Sequence, residues 1–379
     1  MSLNKEQRRI TCEELQAHFE ASTLSVQMIA EKLNVTTEDV EKVLAMTAPL
    51  GIFSHQLQRF IHLVWDVRDV INDNIKGNGQ TPEPYTYLKG EKEDYWFLDK
   101  KRSGSKMKDI LVIGATGKQG NAVVKQLLED GWYVSALTRN KNNRKLSDIG
   151  HPHLSIVEGD LSDNVSLQSA MKGKYGLYSI QPIVKDDVSE ELRQGMKIIE
   201  IAEQENIQHI VYSTAGGVNR NRTGPHFEVL AKIENRLMES NINATVIKPS
   251  FFMDNFLRIA KVEDERITLP EFINPNIKFT MISSIDIAKI ASYIFAHPQS
   301  FTHQSIEIGS DEVTLSEAAT IFSEVTGKST VIEGEFVSGV AEKQWLEEKG
   351  YEVDFELMAE INPTRLSLSD WLKVQNYNK

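Results

Sequence analysis

Seven consecutive residues, Gly114-Ala115-Thr116-Gly117-Lys118-Gln119-Gly120, have the types and spacing of a loop that closes around a pyrophosphate. The first glycine permits a tight turn, the second lets the main chain approach the phosphates, and the third lets a helix pack closely on a strand. Ile110–Ile113 ahead of the loop are apolar, and Val123, Val124, Leu127 and Leu128 behind it recur at helical spacing. A helix opening at Lys118 would aim free N–H groups and a positive dipole end at an anion. Glycine spacing without that context is a weak signal, and a turn that binds nothing is the alternative.

Three later segments extend the pattern. In Thr138-Arg139-Asn140 an arginine stands where an acidic residue would bond the ribose hydroxyls of NAD(H). A guanidinium there suits a 2′-phosphate, so NADP(H) is the expected ligand and NAD(H) the weaker one. Lys141, Arg144 and Lys145 add positive charge. Asp160 in Gly159-Asp160-Leu161 is placed to bond an adenine amino group, and Gln181 in Ser179-Ile180-Gln181-Pro182 to lie beside ribose and nicotinamide. The expected binding set is Gly114, Thr116, Gly117, Lys118, Gln119, Gly120, Arg139, Asp160, Leu161 and Gln181. No catalytic residue and no metal ligand is assigned.

These residues need a frame of alternating strands and helices. Strands are expected at Asp109–Ile113, Tyr133–Thr138, Leu154–Val157, Gly176–Ile180, His209–Ser213 and Ala244–Ile247. Helices are expected at Lys118–Asp130, after Ser162 or Asp163, at Glu190–Asn206 and at His226–Ser240. Such alternation indicates a Rossmann-type α/β fold with a doubly wound parallel sheet. From about Phe251 the rhythm is less regular, with a helix at Ile285–Ala296, a strand near Ser305–Ile308 and a capping box at Thr314–Glu317. That region reads as a smaller C-terminal lobe over the carboxyl edge of the sheet.

The expected division is a mainly helical domain at 1–98, a polar linker at 99–106 and the dinucleotide-binding part at 107–379. The Thr-x-x-Glu spacing at Thr11 reads as a box opening a helix through Ala21. Further helices are expected at Ser25–Lys32, from Thr36, and at His55–Ile75. Thr86–Leu88 and Tyr95–Leu98 could form a small hairpin. The helices around Asn34-Val35 have a helix-turn-helix outline, but the second offers Glu38, Asp39 and Glu41 against Lys42 alone. Phosphates would repel that face, so DNA is disfavoured and a docking or dimerisation bundle preferred.

The 379 residues carry a net charge of −12, of which −3 falls within residues 1–105 and −9 in the remainder, so neither part has the basic excess of a strong nucleic-acid binder. Apolar runs are too short to span a membrane. The MSLNKEQRR start has no secretory h-region. Cys12 is the single cysteine and excludes an intramolecular disulfide, which fits a reducing cytoplasm.

The segments GATGKQG, LTRN, VEGDLSDN, VYSTAGGV, PHFE, KPSFFMDNF and NPTRLSLSDWL resemble the NmrA-like family of atypical short-chain dehydrogenases over about residues 107–375, most closely its NADPH-sensing branch. The first 100 residues resemble a small bacterial domain of unknown function. The family resemblance implies either a reductase or an inactive fold that binds nicotinamide nucleotides and regulates a partner. Catalytic members of the wider group use Tyr-x-x-x-Lys on the helix after the fifth strand, and NmrA-like members often read His-Phe-x-x-Lys. Here those places hold His226 and Leu230. Lys232 lies two residues on, about 200° around a helix. No carboxylate or lysine is evident to tune His226, which reads equally well as a first-turn capping residue. The favoured expectation is therefore an NADP(H)-binding redox sensor with little turnover, acting through an unidentified protein partner or self-association. A quinone or small-carbonyl reductase and a nicotinamide-gated transcriptional regulator are the alternatives.

Overall fold

The computed structural model describes residues 5–33, 35–47, 55–90, 108–180, 182–184, 187–220, 222, 224–335, 340–348 and 350–377. The chain divides into two compact units, Met1–Lys106 and Met107–Lys379.

The first unit contains α1 (Lys5–Ala21), α2 (Val26–Leu33), α3 (Thr37–Leu44) and α4 (His55–Gly77). Their apolar faces meet in a core that includes Leu15, Ile29, Val40, Val43, Val67 and Ile71. Thr36 opens α3 with a reciprocal box, its side chain accepting from Asp39 N while Asp39 accepts from the Thr36 backbone. Thr11 does not open a helix. Because α1 begins at Lys5, Thr11 sits inside it and its hydroxyl donates to Gln7 O at 2.8 Å, the back-bond of a mid-helix threonine. The first arm of the expected hairpin, Thr86–Leu88, is not a strand. Arg68 donates to the Leu88 and Gly90 carbonyls, and Thr86 donates to Glu14, so this segment is tied to helices instead. Tyr95–Leu98 and the linker lie outside the described residues.

In the second unit β1 (Asp109–Val112), α5 (Lys118–Glu129), β2 (Tyr133–Thr138), α6 (Arg144–Ser147), β3 (Leu154–Glu158), α7 (Asn164–Met171), β4 (Gly176–Ile180), α8 (Val188–Gln204), β5 (His209–Ser213), α9 (Pro225–Met238) and β6 (Asn243–Pro249) alternate. There follow β7 (Phe251–Phe252), α10 (Phe256–Ile259), β8 (Lys261–Val262), β9 (Arg266–Glu271), β10 (Lys278–Ile282), α11 (Ser284–Ala296), β11 (Gln304–Ile308), β12 (Asp311–Thr314), α12 (Leu315–Thr326), β13 (Ser329–Glu335), α13 (Val340–Glu348), α14 (Phe355–Ile361) and α15 (Leu368–Val374).

Seven strands form one parallel sheet in the order β3-β2-β1-β4-β5-β6-β11. The strand near Ser305 therefore belongs to the main sheet, paired along β6, and not to the lobe. Side chains alternate across the pleat. Ile110 and Val112 pack with Val123 and Leu127 of α5 and Ile290 and Ile294 of α11. Leu111 and Ile113 face the other way, in one cluster with Leu167, Ile198 and Ile233 of α7, α8 and α9. Two three-stranded sheets, β12-β10-β7 and β13-β9-β8, build the lobe around Met253, Phe256, Phe279, Leu315, Phe322 and Trp371.

A buried carboxylate anchors the end of the lobe. Asp286 accepts from Ser283 and Ser310 hydroxyls at 2.7 and 2.8 Å, from the Asn362 amide at 2.8 Å and from Leu366 N. Because each partner is a hydrogen-bond donor, this burial is compensated rather than costly. Among the described residues, no helix is long and apolar enough to cross a membrane.

Candidate functional site

Strand order reverses between β1 and β4, and in open α/β sheets the ligand crevice lies outside the strand ends at such a point. The glycine loop occupies that place. Gly114 turns at φ +79°, a conformation that favours glycine. A Cβ on Gly120 would fall 2.2 Å from Gly114 O, so close packing of α5 on the loop requires glycine there. A Cβ on Gly117 would meet only Gly114 O, at 3.3 Å. Gly117 is the N-cap of α5 and supplies no side-chain cap to its first N–H groups. Lys118 Nζ donates to Asp254 O at 3.4 Å, and Lys145 Nζ to Thr116 O at 3.3 Å, so cations flank the loop on two sides.

The other expected residues fall into three groups. Arg139 is exposed directly beyond β2. Asp160 is half-buried beyond β3, with its carboxylate accepting from Ser162 N at 2.8 Å and its own N–H donating to Ser166 Oγ. Leu161 is half-buried beside it. Gln119 turns inward, with Nε2 donating to the Tyr178 hydroxyl and to Ser213 Oγ, both at 2.7 Å. Its side chain therefore ties the loop to β4 and β5. Burial pushes the Tyr178 phenol far above its usual range, against the smaller lowering by those hydrogen bonds, so it stays protonated near neutral pH. Gln181 lies outside the described residues.

His226 has a partner that the sequence reading did not find. α9 begins at Pro225 with Gly224 as N-cap, and the His226 ring does not cap it. Nδ1–H instead donates to Glu191 Oε1 at 2.5 Å, and Glu191 is 1% exposed on the neighbouring helix α8. The correction follows from tertiary packing: 35 residues separate the pair, and only the side-by-side packing of α8 and α9 joins them. Leu230 is buried and Lys232 is exposed, so α9 offers no cation to His226. The helix's Glu234 pairs instead with Lys248 of β6 at 2.8 Å, both largely buried.

Next to the crevice, outside the ends of β5 and β6, is a pocket of about 310 Å³. Thr214, Ala215, Pro249 and Ser250 form its floor, and Phe251, Phe272, Ile259, Leu346 and Tyr351 its apolar walls. Thr214 Oγ1 and Ser250 Oγ are buried without a hydrogen-bond partner among the described residues. Gly216 and Gly217 admit the lobe here, since a Cβ on either would fall 2.4 Å from Tyr351 or 2.1 Å from Trp345. Arg220 fastens the wall, with a bidentate pair to Glu307 at 2.8 and 2.9 Å and a bond to Gly350 O. None of these residues entered the expected set, although the glycine pair after β5 and the paired phenylalanines after β6 were its outward signs.

The sequence profile of the NmrA-like family matches residues 106–367, and that of an uncharacterized protein conserved in bacteria matches residues 1–99. An NmrA-like family domain-containing oxidoreductase of Aspergillus hancockii is 30% identical over 247 residues, covering 58% of this chain and 72% of the relative. An NAD(P)H azoreductase of Xenophilus azovorans is 27% identical over 221 residues, covering 58% and 74%. The fold is shared with NmrA, a negative transcriptional regulator solved with NAD, at TM-score 0.59 and 14% identity over 70% of this chain and 94% of that one. With its glycine loop at the switch point and a profile match over most of its length, the chain belongs to the NmrA-like family.

Proposed function

We propose that residues 107–379 bind NADP(H) in the crevice and reduce a planar conjugated acceptor, such as a quinone or an azo compound, held in the adjoining pocket. The pocket is the observation that supports this best. It is apolar, it adjoins the crevice, and it holds two buried hydroxyls with bonding capacity to spare. The glycine loop fits a dinucleotide, because the α5 N-terminus carries no side-chain cap and the space over Gly117 is bounded only by the loop's own carbonyl. The N–H groups at Lys118, Gln119 and Gly120 would take the pyrophosphate, Arg139 the 2′-phosphate, Asp160 and Leu161 the adenine end, with Thr116 completing the cleft. When bound, the dinucleotide supplies a hydride. The chain's part is to orient the acceptor between Phe251 and Tyr351 and to exclude bulk water. A quinone that has taken the hydride can leave as the hydroquinone anion and take its remaining proton from solvent, so the lack of a Tyr/Lys pair on α9 does not forbid the reaction.

One relative is named an NAD(P)H azoreductase, which favours this reading over simple carbonyl reduction. A second reading is a nucleotide sensor that regulates a partner. It draws on the buried Leu230 and exposed Lys232, which leave α9 without the lysine of a Tyr/Lys-type pair. In the N-terminal unit Lys42 pairs with Glu38 at 2.6 Å, which leaves α3 a poor phosphate-binding face and supports docking over DNA contact.

The test is NADPH oxidation with a panel of quinones, azo compounds and simple aldehydes, beside a tryptophan-fluorescence titration of NADP(H). Turnover with conjugated acceptors and little with aldehydes is expected. Tight nucleotide binding with no turnover on any acceptor would replace the reductase by the sensor.

A further inference from the structure

One buried carboxylate joins the two sides of the pocket wall. Glu307 reaches in from the edge strand β11 with its side chain 7% exposed. Its Oε1 accepts from Gly217 N at 2.9 Å and from Arg220 Nε at 2.8 Å. Its Oε2 accepts from Arg220 Nη2 at 2.9 Å and from Glu352 N at 2.7 Å, and the latter N–H belongs to the peptide that follows Tyr351. We propose that Glu307 is a positioning residue that sets the width of the acceptor: it holds the Tyr351 ring at the pocket, which then favours compact acceptors over extended fused rings. This rests on the reductase reading above.

The fit at the wall is tight. A Cβ on Gly216 would fall 2.4 Å from Tyr351 Cδ1 and 2.6 Å from its Cε1, so the ring rests on bare main chain just past Thr214 and Ala215 of the floor. Trp345 backs the ring edge-on, with centroids 5.4 Å apart and planes at 76°. Trp345 Nε1 donates to Arg220 O at 3.3 Å, and Arg220 Nη2 donates to Gly350 O at 2.9 Å. These bonds all cross from the turn after β5 to the segment carrying Trp345 and Tyr351. Glu307 accepts main-chain N–H groups from both sides, Gly217 on one and Glu352 on the other. A carboxylate accepts at both oxygens, whereas an amide of the same shape must turn a donor towards one of the two sets of donors. The pocket, at about 310 Å³, lies at the small end of ligand sites, so displacing one ring changes what fits.

Width is read as equilibrium binding to the full-length protein saturated with NADP+, followed by quenching of tryptophan fluorescence. The probes are duroquinone, a single ring, and anthraquinone, a row of three fused rings. Tyr351→Ala removes the ring and should raise the anthraquinone-to-duroquinone affinity ratio about tenfold or more. Glu307→Gln should shift the ratio in the same direction. The double variant should match Tyr351→Ala alone, because the carboxylate acts through the ring. NADP+ affinity should keep its wild-type value in all three, which a general loosening of the fold would not allow. If Glu307→Gln fails to fold, Gly216→Ala, which drives the ring off the floor, must change the ratio. An unchanged ratio in Tyr351→Ala, or effects of Glu307→Gln and Tyr351→Ala that simply add, overturns the proposal. Replacing NADP+ by NADPH separates the two claims. The expected ratios without oxidation of NADPH by duroquinone remove the reductase reading alone, whereas turnover of duroquinone with one and the same ratio in every variant removes the width proposal alone.

Discussion

The two halves of the crevice are made of different material. On the β1 side the proposed binding surface is main chain, with three glycines and a helix N-terminus contributed by seven consecutive residues. On the β5 and β6 side it is side chain, gathered from segments as far apart as Thr214 and Tyr351. A main-chain surface fits a charge pattern that never varies, that of a pyrophosphate. A side-chain surface can be re-cut for a new acceptor without touching the nucleotide, which is how one fold supports several chemistries.

The sharpest way to break this contrast is at the glycines. Gly120→Ala places a Cβ 2.2 Å from a backbone oxygen, so α5 must shift. A loss of about 3 kcal/mol or more in urea unfolding is expected, with nucleotide binding lost as well. Gly117→Val, with only one contact at 3.3 Å, should keep the fold by circular dichroism and abolish NADP(H) binding by calorimetry. If both variants behave alike, the loop is a structural unit and not a cradle.

The sheet beneath both halves offers the next largest effect. Burial, aided by the charge of Lys108, pushes the His209 imidazole down to about 4. Its Nε2 faces Thr245 Oγ1 at 3.2 Å and its Nδ1 is buried without a partner among the described residues. The unfolded chain takes up this proton near pH 6.5 and the folded chain only near 4, so stability is intact above 6.5 and falls as pH drops through that window. The loss is on the order of 3 kcal/mol and should be smaller in His209→Gln, measured by urea unfolding at pH 7 and 4.5.

Arg139→Ala should weaken NADP(H) by about 1.5–3 kcal/mol and leave NAD(H) nearly unchanged. Equal wild-type affinity for the two nucleotides would place the 2′-phosphate elsewhere. The smallest kinetic effect is expected at His226. With a quinone acceptor, His226→Ala should fall far short of the about 10²–10⁴-fold loss that marks a general acid. It should nonetheless lower stability by about 1–3 kcal/mol, because Glu191 Oε1 is left buried without its donor while Oε2 keeps only the bond from Val184 N. A hundredfold drop in turnover would make the Glu191–His226 pair catalytic and extend the side-chain half to the chemistry.

Legibility followed the same division. The loop, its flanking strand and α5 could be read because the determinants are local: glycine positions, an apolar run and helical periodicity within about twenty residues. The parallel α/β architecture was equally plain from the alternation of periods. The placement of β11 was not, because an edge strand that joins β6 after a long detour reads like any short apolar segment.

Thr11 shows the limit of a local motif. Its box spacing was present, but α1 had already begun at Lys5 and used the hydroxyl within the helix. The Glu191–His226 pair, the Arg220–Glu307 clamp and the Asp286–Asn362 anchor join residues 35, 87 and 76 positions apart. No period or spacing encodes such contacts, since each depends on which helix faces lie together once both sides of the sheet are covered. Residue order was enough to specify a glycine loop opening a helix, because a strand-to-helix turn needs only local conformation. What sits opposite it was settled by packing, because a pocket of side chains exists only after the lobe has closed on Gly216 and Gly217.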